Sequence, residues 1–83
     1  MAEELRRHTI CALVDNEPGV LARVIGLFSG RGYNIESLTV AQVDARRGLS
    51  RINIVTTGTE LVVEQIKSLL AKLVPVHRVQ DLT

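Results

Sequence analysis

The sequence predicts an α+β fold, a four-stranded antiparallel sheet with both helices on one face. Three observations predict it. Strand-like and helix-like runs follow one another in the order strand, helix, strand, strand, helix, strand, which divides into two βαβ-like halves. The connections between them carry turn residues at the right places, and the 83 residues fit one small domain. This is the ferredoxin-like βαββαβ arrangement.

Residues 9 to 15 are apolar on both parities, with Ile10, Ala12 and Val14 toward one face and Cys11 and Leu13 toward the other. That pattern predicts a central strand covered on both sides. It stops at Asp15-Asn16-Glu17-Pro18-Gly19. A helix over residues 19 to 31 follows, because Leu21, Val24, Ile25 and Phe28 recur at helical spacing and Ser29-Gly30-Arg31-Gly32 offers glycines for a left-handed cap.

The run Tyr33 to Gln42 alternates, placing Ile35, Ser37, Thr39 and Ala41 opposite Asn34, Glu36, Leu38 and Val40. One face is partly polar, as suits an edge strand. Asp44 to Gly48 reads as a hairpin loop, which makes Arg46-Arg47 a solvated pair, and residues 50 to 57 as the third strand. Thr59 is the candidate N-cap of a second helix whose buried stripe is Val62, Ile66, Leu69, Leu70 and Leu73. Pro75 stops that helix, and Val76 to Leu82 closes the sheet. With helices on one side only, either Cys11 and Leu13 or Ile10 and Val14 must face an uncovered apolar surface, which is an expected interaction surface.

Composition narrows the function. Apolar residues make up 46% of the chain, high for a domain of this size, which predicts apolar surface turned toward a partner chain. Ten Lys+Arg against nine Asp+Glu leave a net charge of +1, no electrostatic reason to bind nucleic acid or an anionic membrane. An RNA module of this shape would stack bases on central-strand aromatics, and Phe28 and Tyr33 lie outside the first and third strands. Lone Cys11 forms no intrachain disulfide and reads as a buried apolar side chain. His8 and Cys11, three apart on one strand, face opposite sides and make no metal site. His77 reads as a surface histidine, and no nucleophile with an adjacent base stands out. No export signal precedes the domain and no apolar run approaches the roughly 20 residues of a membrane span, so a cytoplasmic protein is expected.

The turn is the candidate binding point. Pro18 suits the second position of a type II turn and Gly19 the positive φ of the third. The chain then enters the helix with the amides of Gly19, Val20 and Leu21 expected bare, a ready anion site. Asn16 adds an amide that both donates and accepts, matching an α-amino acid with its carboxylate and ammonium. Asn16 could equally cap the helix or close an Asx turn, and Asn34 could simply occupy a turn after Gly32.

Asn16-Glu17-Pro18-Gly19-Val20-Leu21-Ala22-Arg23-Val24-Ile25-Gly26-Leu27-Phe28, followed by Arg31-Gly32-Tyr33-Asn34-Ile35-Glu36-Ser37-Leu38-Thr39-Val40, resembles the ACT domain of the acetolactate synthase (acetohydroxyacid synthase) small regulatory subunit. Ser50-Arg51, Glu64-Gln65-Ile66 and Lys72-Leu73 extend the likeness over nearly the whole chain, with residues 1–8 as an N-terminal extension and 9–83 as the domain. The resemblance implies a non-catalytic chain. It would bind and activate a catalytic large subunit, to which thiamine diphosphate, Mg and FAD belong, and confer feedback inhibition by valine or another branched-chain amino acid. It further implies side-by-side homodimers with the effector between them. Asn16, Gly19, Val20 and Leu21 of one chain would hold one end, and Asn34 and Ile35 of the other would supply the rest. Many family members continue into a second domain, so the chain is expected to be either a short regulator or one domain of a longer one. The loop Val43 to Leu49 lacks the prolines of that family, and its contacts are not carried over. The competing expectation is an ACT adaptor that dimerises without a ligand. The uncovered sheet face is the expected contact with the catalytic subunit.

Overall fold

The computed structural model describes residues 4–73 and 76–82. Its elements run β1 (Arg6–Asp15), α1 (Val20–Gly30), β2 (Ser37–Asp44), β3 (Leu49–Gly58), α2 (Glu60–Ala71) and β4 (Val76–Asp81). The four strands form one antiparallel sheet in the order β2-β3-β1-β4. The expected fold is therefore the observed one, and β2 is an edge strand.

The helices cover the face carrying Ile10, Ala12 and Val14 of β1 with Ile52 and Ile54 of β3. Val20, Val24 and Phe28 of α1 and Val63, Ile66 and Leu70 of α2 close the core over it. Each helix thus buries a stripe at spacings of three or four, the face a helix must hide on a sheet. In α1 the stripe is shifted from the expected one, because Leu21 and Ile25 remain 39% and 41% exposed. In α2, Val63 is buried where Val62 was expected, and Val62 and Leu73 pack only against the core's margin. The expected stop at Pro75 lies outside the described residues.

Two strands start more than one residue away from expectation. β1 begins at Arg6 rather than residue 9, since Arg6, Arg7 and His8 pair with Gly58, Thr57 and Thr56. β2 begins at Ser37 rather than Tyr33, because the end of α1 claims the preceding residues. There Gly32 takes φ 71, its N–H donates to Ser29 O at 3.2 Å and the Tyr33 N–H donates to Phe28 O at 2.9 Å. These two bonds make a Schellman cap. The apolar contact that accompanies such a cap is the Tyr33 ring, edge-on to Phe28 at 6.1 Å.

The far face of the sheet is not the apolar surface expected. Cys11 and Leu13 lie at its centre, but Arg51 and Arg78 are registered on either side of Leu13, and Asn53 and Gln80 on either side of Cys11. His8 and Cys11 do face opposite sides, with His8 on the helix-covered face. Its Nδ1 lies 2.9 Å from Asp81 Oδ2. At the other end of the same strand pair, His77 Nε2 lies 2.6 Å from Asp15 Oδ1. One acid–histidine bridge thus fastens β4 to β1 at each end, pairings that no local sequence pattern announces.

Candidate functional site

The turn after β1 has the geometry its residues predict. Gly19 sits at φ 87 and ψ −8, values of the third residue of a type II turn, and the Val20 N–H closes the turn on Glu17 O at 3.3 Å. The Val20 amide is therefore engaged, a correction to the expectation that it is bare. Helical bonding starts with Arg23 N–H donating to Gly19 O at 3.0 Å. The amides of Leu21 and Ala22 lie in the first turn, where a helix supplies no internal acceptor.

Among the described residues, no side chain caps α1. Asn16 is exposed, and among the described residues its side chain makes no hydrogen bond, so the capping role open to it is not used. At α2, by contrast, Thr59 accepts from the Val62 N–H at 3.2 Å, the cap its sequence predicted. The main chain of Asn16 is held instead from across the sheet, its N–H donating to Gly48 O at 2.5 Å. Gly48, at φ 65 in the β2–β3 loop, thereby positions the turn.

A cavity of about 200 Å³ opens beside this turn, lined by Val14, Asp15, Asn16, Glu17, Val20, Leu21, Val40, Ser50 and Ile52. Its walls are mainly aliphatic, with the helix N-terminus, Asn16 and two carboxylates at the rim. Val40, Ser50 and Ile52 were missed in the sequence, where nothing local links them to the turn. Only the β1–β3 and β2–β3 registers, which set Ile52 opposite both Ala12 and Val40, bring them there.

Asn34 and Ile35 lie elsewhere. They belong to the connection between α1 and β2, at the end of the sheet where Ser37 pairs with Val55, whereas the turn lies where Asp15 and Asp44 both pair with Leu49. The eight residues of β2 separate the two groups by about 25 Å at the rise of a strand. The connection is pinned to β3, because Thr56 Oγ1 donates to Asn34 O and the Glu36 N–H donates to Val55 O at 2.8 Å. The Asn34 side chain is exposed, and Asn34 lines a second cavity of about 270 Å³ with Gly32, Tyr33 and Thr56 to Thr59. Ile35 packs against the core. One chain thus brings Asn16, Gly19, Val20 and Leu21 together and holds Asn34 and Ile35 apart from them.

A βαββαβ sheet with a glycine turn leading into its first helix defines the ACT class of domain. The ACT domain of GTP pyrophosphokinase from Chlorobium tepidum superposes with a TM-score of 0.79 over 95% of this chain and 88% of that one, at only 18% identity, so that this likeness concerns the fold alone. The family is narrower. The model of the AHAS small subunit-like ACT domain matches residues 10–78, and the chain belongs to that family. It is 58% identical over 92% of its length to the acetolactate synthase isozyme 3 small subunit of Escherichia coli, of which it covers 46%. The crystal structure of the acetolactate synthase small subunit from Thermotoga maritima superposes with a TM-score of 0.83 at 42% identity, over 92% of this chain and 47% of that one. The chain spans about half the length of the curated relatives it matches. Among the described residues, no helix is long and apolar enough to cross a membrane.

Proposed function

We propose that this chain is the effector-sensing ACT domain of an acetolactate synthase regulatory subunit. It works as a homodimer that binds valine or another branched-chain amino acid, activates a thiamine-diphosphate-dependent catalytic subunit in the cytoplasm and makes that enzyme subject to feedback inhibition. The observation that carries the reading is the separation of the two residue groups along an unpaired edge strand. Pairing two β2 edges antiparallel about a two-fold axis sets the start of one strand against the end of the other. Asn34 and Ile35 of one protomer then approach Asn16, Gly19, Val20 and Leu21 of its partner. The exposed apolar side chains Val40 and Val43, at 51% and 43%, would be covered by the same pairing.

The chemistry fits a small zwitterion. Amides at the N-terminus of α1 suit its carboxylate, the Asn16 and Asn34 amides suit either charged group, and the aliphatic wall of Val20, Val40 and Ile52 suits a branched apolar side chain. Nothing in such a wall sharply separates valine from leucine or isoleucine, since one methylene is worth about 1–3 kcal/mol.

Calorimetry with valine, on the wild type, Asn16→Ala, Asn34→Ala and an equilibrated mixture of the two variants, tests this. Each variant alone loses the heat. The mixture regains about one quarter of the wild-type sites, because half the dimers are mixed and each of these holds one intact site out of two. Silence of the mixture would place the site within one chain. A dimer that takes up no amino acid at all would be the ligand-free adaptor.

A further inference from the structure

The open face of the sheet holds two guanidinium groups that form no ion pair among the described residues. Arg51 on β3 and Arg78 on β4 are both registered opposite Leu13 of the intervening strand. Their Cα atoms are thus about 10 Å apart, two strand spacings, on the face away from the helices. Both are exposed. The other arginine on that face, Arg7, is paired with Glu36 at 3.1 Å, and the loop arginine Arg47 is beside Asp44, whereas neither Arg51 nor Arg78 meets an acid among the described residues. Cross-strand neighbours on a sheet ordinarily compensate charge. Here a like-charged pair is held on either side of one leucine, and the fixed fork of a guanidinium is the shape that receives a carboxylate.

Between the two arginines lies a cavity of about 80 Å³ lined by Cys11, Leu13, Arg51, Arg78 and Gln80. It is far smaller than the cavity beside the turn, at about 200 Å³. A carboxylate tip fits it and a free amino acid does not. Its floor is apolar and its rim cationic, on a chain whose net charge is only +1, so the positive character is local to this face. Of the residues that line the effector cavity, Asp15 alone shares this face, two positions beyond Leu13 on β1, and its carboxylate is engaged by His77.

We propose that this face docks an acidic segment of the catalytic subunit, with Arg51 and Arg78 receiving carboxylate side chains on either side of Leu13. The partner's identity rests on the function proposed above; the choice of face and chemistry does not. Docking here leaves the β2 edge free for dimerisation and the turn free for the effector. One protomer can then meet its enzyme at a place separate from the seam where its own copy and the ligand come together.

The test reconstitutes the full chain with the catalytic large subunit from the same genome and measures affinity by titrating activation, for the wild type, Arg51→Glu/Arg78→Glu and Arg51→Lys/Arg78→Lys. The charge-reversed chain is expected to bind at least about ten-fold more weakly, with the lysine variant between it and the wild type because charge remains and the fork is lost. The heat of valine binding and the dimer mass of both variants should match the wild type, showing that they are folded. Equal affinity of wild type and charge-reversed chain would overturn the docking face alone and leave the function reading intact. A dimer mass that falls in the reversed variant would assign the face to a second copy and also overturn it. A wild type that fails to bind the large subunit would overturn both.

Discussion

The amide of Asn16 is tied to the carbonyl of Gly48 across the sheet, 2.5 Å from nitrogen to oxygen. The loop between β2 and β3 therefore sets the position of the turn that opens α1. Gly48 holds φ 65, and a Cβ there would meet nothing within 4 Å, so its glycine requirement is purely conformational. Gly48→Ala should destabilise the fold by about 1 kcal/mol, the cost of a left-handed residue with a side chain, and weaken effector binding in parallel. Urea unfolding and calorimetry read the two effects, and a stability loss with unchanged binding would uncouple the loop from the turn.

The two helix N-termini should respond oppositely to alanine. Thr59 caps α2, and Thr59→Ala should cost about 1 kcal/mol with no change in effector binding. Asn16 caps nothing, so Asn16→Ala should change stability by less than about 0.5 kcal/mol, as for an ordinary surface residue, while the effector heat disappears. A large stability loss in Asn16→Ala would restore the capping role.

Removing the Phe28 ring should be the most damaging of these changes. Phe28 is 1% exposed and also carries the edge-on contact with Tyr33 that closes the Schellman cap. Phe28→Ala should cost about 3–5 kcal/mol, a large part of the 5–15 kcal/mol of an ordinary domain. Tyr33→Leu should cost about 1 kcal/mol, the ring-pair contribution, and loosen the connection that presents Asn34. Hydrogen exchange at Asn34 and Glu36 reads the loosening.

The two acid–histidine bridges between β1 and β4 should be unequal. The His8 side chain is 9% exposed and that of His77 50%. Replacing His8 by alanine removes a half-buried hydrogen bond to the Asp81 carboxylate and should cost about 1–3 kcal/mol. His77→Ala, in water, should cost at most about 1 kcal/mol. Thermal unfolding of the two variants side by side checks the order.

The hydrogen bond from Lys67 to Glu64 on α2, 2.9 Å long, raises the Lys67 pKa above its ordinary value. A raised pKa in the folded state means the pair's contribution is complete below the ordinary lysine range and is lost as pH rises through the folded value. Glu64→Gln should move the Lys67 titration back down, read by NMR at the side-chain methylene beside the ammonium. The melting temperature at neutral pH should hardly move, since exposed pairs of this kind stabilise little.

Local pattern was enough for the element order, the type II turn at Pro18-Gly19, the Thr59 cap and the glycine that ends α1. Each is specified by residues within a few positions of one another, through backbone sterics and helical or strand periodicity. The start of β2 was misread because alternation from Tyr33 looks the same whether or not a ladder partner exists; the Schellman bonds to Phe28 and Ser29 decided it. Asn16 and Asn34 were recognisable as candidates, Asn16 from the turn chemistry and both from the family motif. Tertiary structure alone revealed the rest. The antiparallel registers set Val40, Ser50 and Ile52 around the turn and Gly48 against Asn16, they placed Asn34 at the opposite end of β2, and they flanked Leu13 with Arg51 and Arg78. Pairing between strands far apart in the chain is chosen by the whole core at once, so no short stretch of residues records it.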